Sequence, residues 1–260
     1  MPAPRSHEVR LHTRTRQGSS TGALIALHGA KGGVGTTMLA AELSGLAASS
    51  GHRVLAVDAD LQRGSLHYRM DVPVGRATFS IADVLPVLDD LSPDLLQGVL
   101  SESASGAWLL PAPQVFEAAC GTGEELGAAL ARSLRTSFDF VVVDTGAAFD
   151  DLTMGLLAAA DAVLVVVTPE LACLGAARRA LGVVRRLRSG NIELIVNRSL
   201  GHGDLVEQDE LTSFLGLQAL CVLPEDTARC RRLGDECRPI CSERSALARE
   251  INNLRRSLFV

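Results

Sequence analysis

The stretch Gly29-Ala30-Lys31-Gly32-Gly33-Val34-Gly35-Thr36-Thr37 gathers the residue types that hold phosphate: glycines that let successive backbone N–H groups converge, one ammonium, and hydroxyls at the start of a helical segment. Lys31 is the only lysine of the 260 residues, and every other basic residue among the 25 Lys+Arg is arginine. Arginine presents a wide planar fork and lysine a compact charge on a thin stem, so lysine is retained where one ammonium must stand among crowded phosphate oxygens. Two acidic segments supply complementary chemistry. Val54-Leu55-Ala56-Val57-Asp58-Ala59-Asp60 and Phe140-Val141-Val142-Val143-Asp144-Thr145 are apolar runs that end in carboxylates. A carboxylate there either caps a turn or partners Mg²⁺ and its waters, while the Thr37 hydroxyl can ligate the ion directly. Loop and acidic ends together read as a nucleotide-phosphate site.

Such groups must be delivered to one place, and the chain alternates apolar runs with amphipathic ones. Strands are expected near residues 23–28, 53–58, 107–110, 140–144, 162–168, 194–197 and 219–223, with helices over segments such as 37–48 and 174–188. That alternation predicts an α/β fold, a doubly wound, mostly parallel sheet with helices on both faces and loops gathered at the carboxyl ends of the strands. The apolar fraction is 47% with only 3% aromatic, so the core must be Leu, Val, Ile and Ala, as in buried parallel strands. Residues 21–260 are expected to form one domain. Met1 to Ser20, with four arginines among Ser, Thr and Pro, reads as a disordered basic arm or linker remnant. No apolar run reaches the length of about 18 residues that spans a bilayer, and no signal-peptide core opens the chain, so a cytoplasmic protein is expected. Cys230, Cys237 and Cys241 fit no common zinc spacing, and reduced thiols are expected for all six cysteines.

Lys31-Gly32-Gly33-Val34-Gly35-Thr36-Thr37 after a strand, Val57-Asp58-Ala59-Asp60-Leu61-Gln62, Phe140 to Thr145, Val167-Thr168-Pro169-Glu170 and Ile195-Val196-Asn197-Arg198 together resemble the deviant Walker A ATPases of the MinD/ParA group, over about residues 23–258. The resemblance implies a P-loop NTPase fold, ATP and Mg²⁺ as cofactors, and a homodimer with nucleotide at the interface. It further implies that Lys31 reaches across to the partner's nucleotide and that Asp60 orients the attacking water. The amides of Gly32, Gly33, Val34, Gly35, Thr36 and Thr37 would hold phosphates. Thr37, with Asp58 and Asp144 through water, would organise Mg²⁺. Asn197 would read the adenine edge, with Pro224 in the adenine-side loop.

One position departs from that family. A second lysine normally precedes the Mg²⁺ threonine, and here it is Thr36. Threonine cannot supply the charge that this lysine places on the β and γ phosphates, so binding is expected to survive and hydrolysis to be weak. The departure, together with Asp60 to Leu66, Ser105 to Pro113 and Arg244 to Arg249, is similar to the CpaE/TadZ branch that serves Flp/Tad pilus assembly. Many members of that branch carry a receiver-like domain, for which these residues leave no room. The resemblance therefore implies an ATP-binding, dimerising localisation or assembly factor whose partners belong to a pilus or secretion apparatus or to the cell pole. The alternative is an active MinD/ParA-type ATPase for septum-site placement or partitioning on a DNA or membrane surface. Arginines at 178, 179, 185, 186 and 188 would suit DNA, but a net charge of −5 argues for a solvated helix face. The stripe Leu247, Ile251, Leu254, Leu258 would suit a membrane, but it is also what a final helix needs to cover a sheet. A single tyrosine and the lack of a second cysteine near the acidic strands set aside the tyrosine-kinase and iron–sulfur relatives of this scaffold.

Overall fold

The computed structural model describes residues 14–16, 19–75, 78–114, 124–188, 191–204 and 206–259. In chain order the elements are β1 (Arg14–Arg16), β2 (Ser19–Thr21), β3 (Ala23–Gly29), α1 (Thr36–Ala48), β4 (Val54–Asp58), α2 (Leu66–Arg69), α3 (Ile81–Val84), α4 (Pro93–Val99), β5 (Ser101–Glu102) and β6 (Trp108–Leu110). There follow α5 (Glu124–Leu134), β7 (Phe140–Asp144), α6 (Asp151–Ala159), β8 (Ala162–Val167), α7 (Leu171–Leu187), β9 (Ile192–Ser199), α8 (Gln208–Leu215), β10 (Ala219–Pro224), α9 (Thr227–Asp235) and α10 (Ala246–Leu258).

Eight strands form one sheet in the order β10-β9-β8-β3-β7-β4-β6-β5, parallel throughout except for β5 against β6. Every residue of β3, β4, β7 and β8 is buried, which is why these strands read as unbroken apolar runs instead of alternating ones. Contacts divide the helices into α1 with α10 on one face and α5, α6, α7 and α8 on the other. In α10 Leu247, Ile251, Leu254 and Leu258 are all buried, and the helix packs on β10 and α1. That stripe therefore belongs to the core, where each such side chain contributes about 1.5–3 kcal/mol.

Three features differ from the sequence expectation. Within the arm that composition reads as unstructured, β1 pairs with β2 as a short antiparallel ladder; residues 1–13, 17 and 18 lie outside the described residues, as does Cys120. The edge strand β5 is only two residues long, too short to leave a periodic signature. The helix after Thr168-Pro169-Glu170 begins at Leu171, three residues earlier than its apolar spacing suggests. Among the described residues no helix is long and apolar enough to cross a membrane.

Candidate functional site

The sheet order explains why the chemistry converges. β3 lies between β7 and β8, and β4 lies on the far side of β7, so the loops leaving β3, β4 and β7 emerge side by side at the carboxyl ends of the strands. In register, Asp58 is the Cα partner of Asp144, and Asp144 also pairs with Leu27 two residues before the glycine loop. The root of the loop is tied to both neighbours: Gly29 N–H donates to Gly146 O at 2.7 Å and Ala30 N–H to Val166 O at 2.9 Å.

From there the chain turns through Gly33 and Gly35, whose φ values of 81° and 100° lie in the left-handed region that favours glycine. Gly35 also has no room for a side chain, since a Cβ would lie 2.4 Å from Asn197 Nδ2. Gly32 and Gly33 face open space. The amides at the start of α1 have no side-chain cap, and its first turn holds no acidic residue, which leaves them for an anion. The cleft above has a volume of about 350 Å³ and is lined by Lys31, Gly32, Gly33, Gly35, Thr36 and Thr37 from the loop, Asp60 and Arg63 after β4, and Gly146 after β7, among others.

Asp58 and Asp144 are fully buried, and Asp144 sits behind the cleft-lining Gly146 and Thr37. Asp58 Oδ2 accepts the Leu66 N–H at 2.9 Å and Asp144 Oδ1 the Gly146 N–H at 3.2 Å, while Asp58 Oδ1 and Asp144 Oδ2 have no hydrogen-bond partner. Burial, and then the Asp144 charge, push the Asp58 carboxyl up to about 7. Burial likewise raises Asp144 to about 6, against the pull of the Thr37 hydroxyl and the Gly146 amide. Two buried carboxylates with orphaned oxygens beside a threonine hydroxyl are a donor set that fits a hydrated divalent cation. Asp60 is less buried: Oδ1 accepts the Arg63 N–H at 3.1 Å, and its carboxylate lies over Gly146, where a Cβ would be 2.4 Å from Oδ2. Just before the loop, His28 is buried against the Thr145 hydroxyl at 2.9 Å, and burial holds its pKa down at about 4, so it adds no charge.

The folded chain binds protons at Asp58 and Asp144 more tightly than the unfolded chain does, so nucleotide-free stability falls as pH rises from about 4 through 7. At about 1.36 kcal/mol per pKa unit, the Asp58 shift from 3.8 to about 7 corresponds to a cost on the order of 4 kcal/mol above neutrality. Asp58→Asn keeps an acceptor for Leu66 N–H and removes the charge. It is expected to raise the nucleotide-free Tm at pH 8 by roughly 5–10 °C and to flatten its dependence between pH 5 and 8. Thermal melts across that range check this, and an unchanged slope would contradict it.

The remaining residues flagged by sequence fall into two groups. Asn197 and Pro224 line a smaller cavity of about 80 Å³ that adjoins the phosphate cleft at Gly35, Met38 and Arg198. Asn197 Nδ2 donates to Val34 O at 2.7 Å and Oδ1 accepts the Arg198 N–H at 3.0 Å, so its carboxamide braces the glycine loop. Lys31 leans away from the cleft floor, with Nζ 2.6 Å from Glu170 Oε2, and the carboxylate holds the ammonium above its usual pKa. Glu170 precedes α7 and closes the motif Val167 to Glu170, but its pairing with Lys31 escaped the sequence reading, because only the folding of β8 next to β3 brings the two together.

Residues 22–196 match the family described as AAA domain. The septum site-determining protein MinD of Thermotoga maritima is 29% identical over 213 residues, 78% of this chain and 76% of that protein. The ESX-1 secretion-associated protein EspI of Mycobacterium tuberculosis is 34% identical over 168 residues, which are 64% of this chain and 25% of EspI. The solved structure of Pyrococcus horikoshii MinD complexed with Mg-ADP superposes with a TM-score of 0.76 at 24% identity, covering 90% of this chain and 94% of that one, a likeness of fold.

Proposed function

The chain belongs to the AAA domain family of MinD/ParA-type P-loop ATPases, and from that premise we propose that it binds Mg-ATP, forms a nucleotide-sandwich homodimer and serves as a localisation or assembly factor of the CpaE/TadZ type. The machine it serves is a pilus or secretion apparatus, and its hydrolysis of ATP is weak or absent. One observation carries this reading: Thr36 is buried, 6% exposed, where a second lysine would stand, while the rest of the phosphate cradle is in place around it. The amides of residues 32–37 would hold the phosphates. Thr37 would ligate Mg²⁺ with Asp58 and Asp144 behind its waters, and the ion would supply part of the neutralising charge that Thr36 does not. Asp60, held over Gly146 at the cleft wall, would orient water. Asn197 and Pro224 would flank the base. The likeness to a secretion-associated protein supports the assembly role.

A second reading is favoured by the longer match to MinD: an active ATPase of septum placement or partitioning. A nucleic-acid surface on α7 has less support, because Arg178, Arg185 and Arg186 of the helix and Arg188 just after it make contacts on their own chain. Arg185 donates to Leu215 O and Gly216 O at the end of α8, Arg188 to Ala160 O and Asp161 O, and Arg178 lies over the Phe214 ring.

Light scattering with Mg-ATP tests the dimerising role. The Lys31–Glu170 pair is exposed, and exposed pairs are weak, so a facing phosphate can replace Glu170 as the partner of Lys31. Lys31→Arg keeps the charge but brings a bulky fork to the place where two phosphate chains would meet. It is expected to bind ATP within a few-fold of wild type and to dimerise at least about tenfold more weakly. Equal dimerisation by wild type, Lys31→Arg and Lys31→Ala would mean that Lys31 is not an inter-subunit ligand.

A further inference from the structure

The phosphate cleft holds more guanidinium than the glycine loop accounts for, and Arg69, the last residue of α2, occupies a special place in it. Among the described residues it alone lines all three of the adjoining cavities: the phosphate cleft, the Asn197–Pro224 cavity, and a third of about 420 Å³ between α1 and residues 237–242. Its guanidinium is fixed from behind. Nη1 donates to Cys230 O at 3.2 Å, and the group lies against Gly234 of α9 so closely that a Cβ there would be 2.2 Å from Nη1 and 2.7 Å from Cζ.

No carboxylate of the described residues lies within ion-pair distance of Arg69. Glu42 is near enough to feel its charge, yet both Glu42 oxygens are already taken by the Ile240 and Cys241 amides at 2.5 and 3.1 Å. A guanidinium carries five N–H donors, and one carbonyl leaves most of them free. The other cations of the cleft are placed differently. Lys31 is turned to Glu170, Arg63 leans on Asp60 with 63% of its side chain exposed, and Arg198 stands exposed at the rim. A positioned, half-buried guanidinium that lines the cleft with no carboxylate of the described residues at ion-pair distance suits a polyanion, and its planar fork matches phosphate oxygens.

We propose that Arg69 is a phosphate-contacting residue of the nucleotide site and supplies, from α2, the cation that Thr36 leaves out of the glycine loop. The inference rests on the nucleotide-binding reading above and adds to it a residue that none of the family motifs contains. It also gives Gly234 a role: a glycine inside a helix is unfavourable, and here it is what admits the guanidinium.

Calorimetric titration of the full chain with Mg-ATP, at matched ionic strength, tests it in five proteins: wild type, three single variants and one double variant. Arg69→Gln is expected to weaken ATP binding about 10- to 100-fold, the worth of a charge-assisted contact. Gly234→Ala improves the helix and displaces the guanidinium, so it should weaken binding similarly without lowering the nucleotide-free Tm. Thr36→Lys added to Arg69→Gln should restore at least tenfold, and more than it adds to wild type, because a lysine in the loop replaces lost charge but cannot repair a tie between α2 and α9. Unchanged ATP affinity in either Arg69→Gln or Gly234→Ala overturns the proposal, as does a loss that Thr36→Lys fails to restore. Wild type that takes up no ATP overturns the nucleotide reading itself and this inference with it.

Discussion

Thr36→Lys is expected to raise steady-state phosphate release by about 10², because the substitution restores an ammonium where charge develops in phosphoryl transfer. The structure favours a clean result. Thr36 opens α1 and lines the phosphate cleft, so a flexible lysine stem can leave the buried Cβ position toward the phosphates, and lysine has the better helix propensity. The bonds that shape the loop, Gly29 N–H to Gly146 O and Asn197 Nδ2 to Val34 O, do not involve the Thr36 side chain. Asp60→Ala in the same background should remove the gain. The measurement also separates the two functional readings, since vigorous release by the unmodified chain, abolished by Asp60→Ala, would make it an active ATPase of the MinD/ParA type.

Much of this site was legible in the sequence because its parts are local. Strands β3, β4, β7 and β8 were readable because burial on both faces leaves continuous apolar runs, and each acidic residue of interest ends such a run or follows it by two residues. The glycine loop carried its own signature in residue type and spacing. What escaped depends on contacts between distant parts of the chain. Glu170 meets Lys31 across 139 residues, and Arg69 meets Cys230 across 161. No periodicity reports such pairs. Asn197 was found by motif, yet its bond to Val34 O is a tertiary fact that spacing cannot supply. The β1–β2 ladder escaped because its residues are polar, and β5 because two residues are too few to carry a pattern.

Asp144→Asn is the second change with a large expected effect, because it removes the charge buried behind Thr37 and Gly146 while keeping an acceptor for the Gly146 N–H. Groups that orient a metal ion and its waters typically contribute 10- to 100-fold to metal affinity. Mg-ATP binding should therefore weaken by about 10²-fold, whereas the nucleotide-free protein should be no less stable near pH 8, because a carboxylate that burial raises to about 6 no longer has to be ionised there. Loss of binding and loss of fold are thus separated in one variant. Calorimetry of the unmodified chain beside Asp144→Asn decides whether the cradle binds Mg-ATP despite Thr36. Saturable heat from the unmodified chain below millimolar Mg-ATP, largely lost in the variant, is expected; no heat from the unmodified chain at millimolar Mg-ATP would mean that the cradle does not bind the nucleotide.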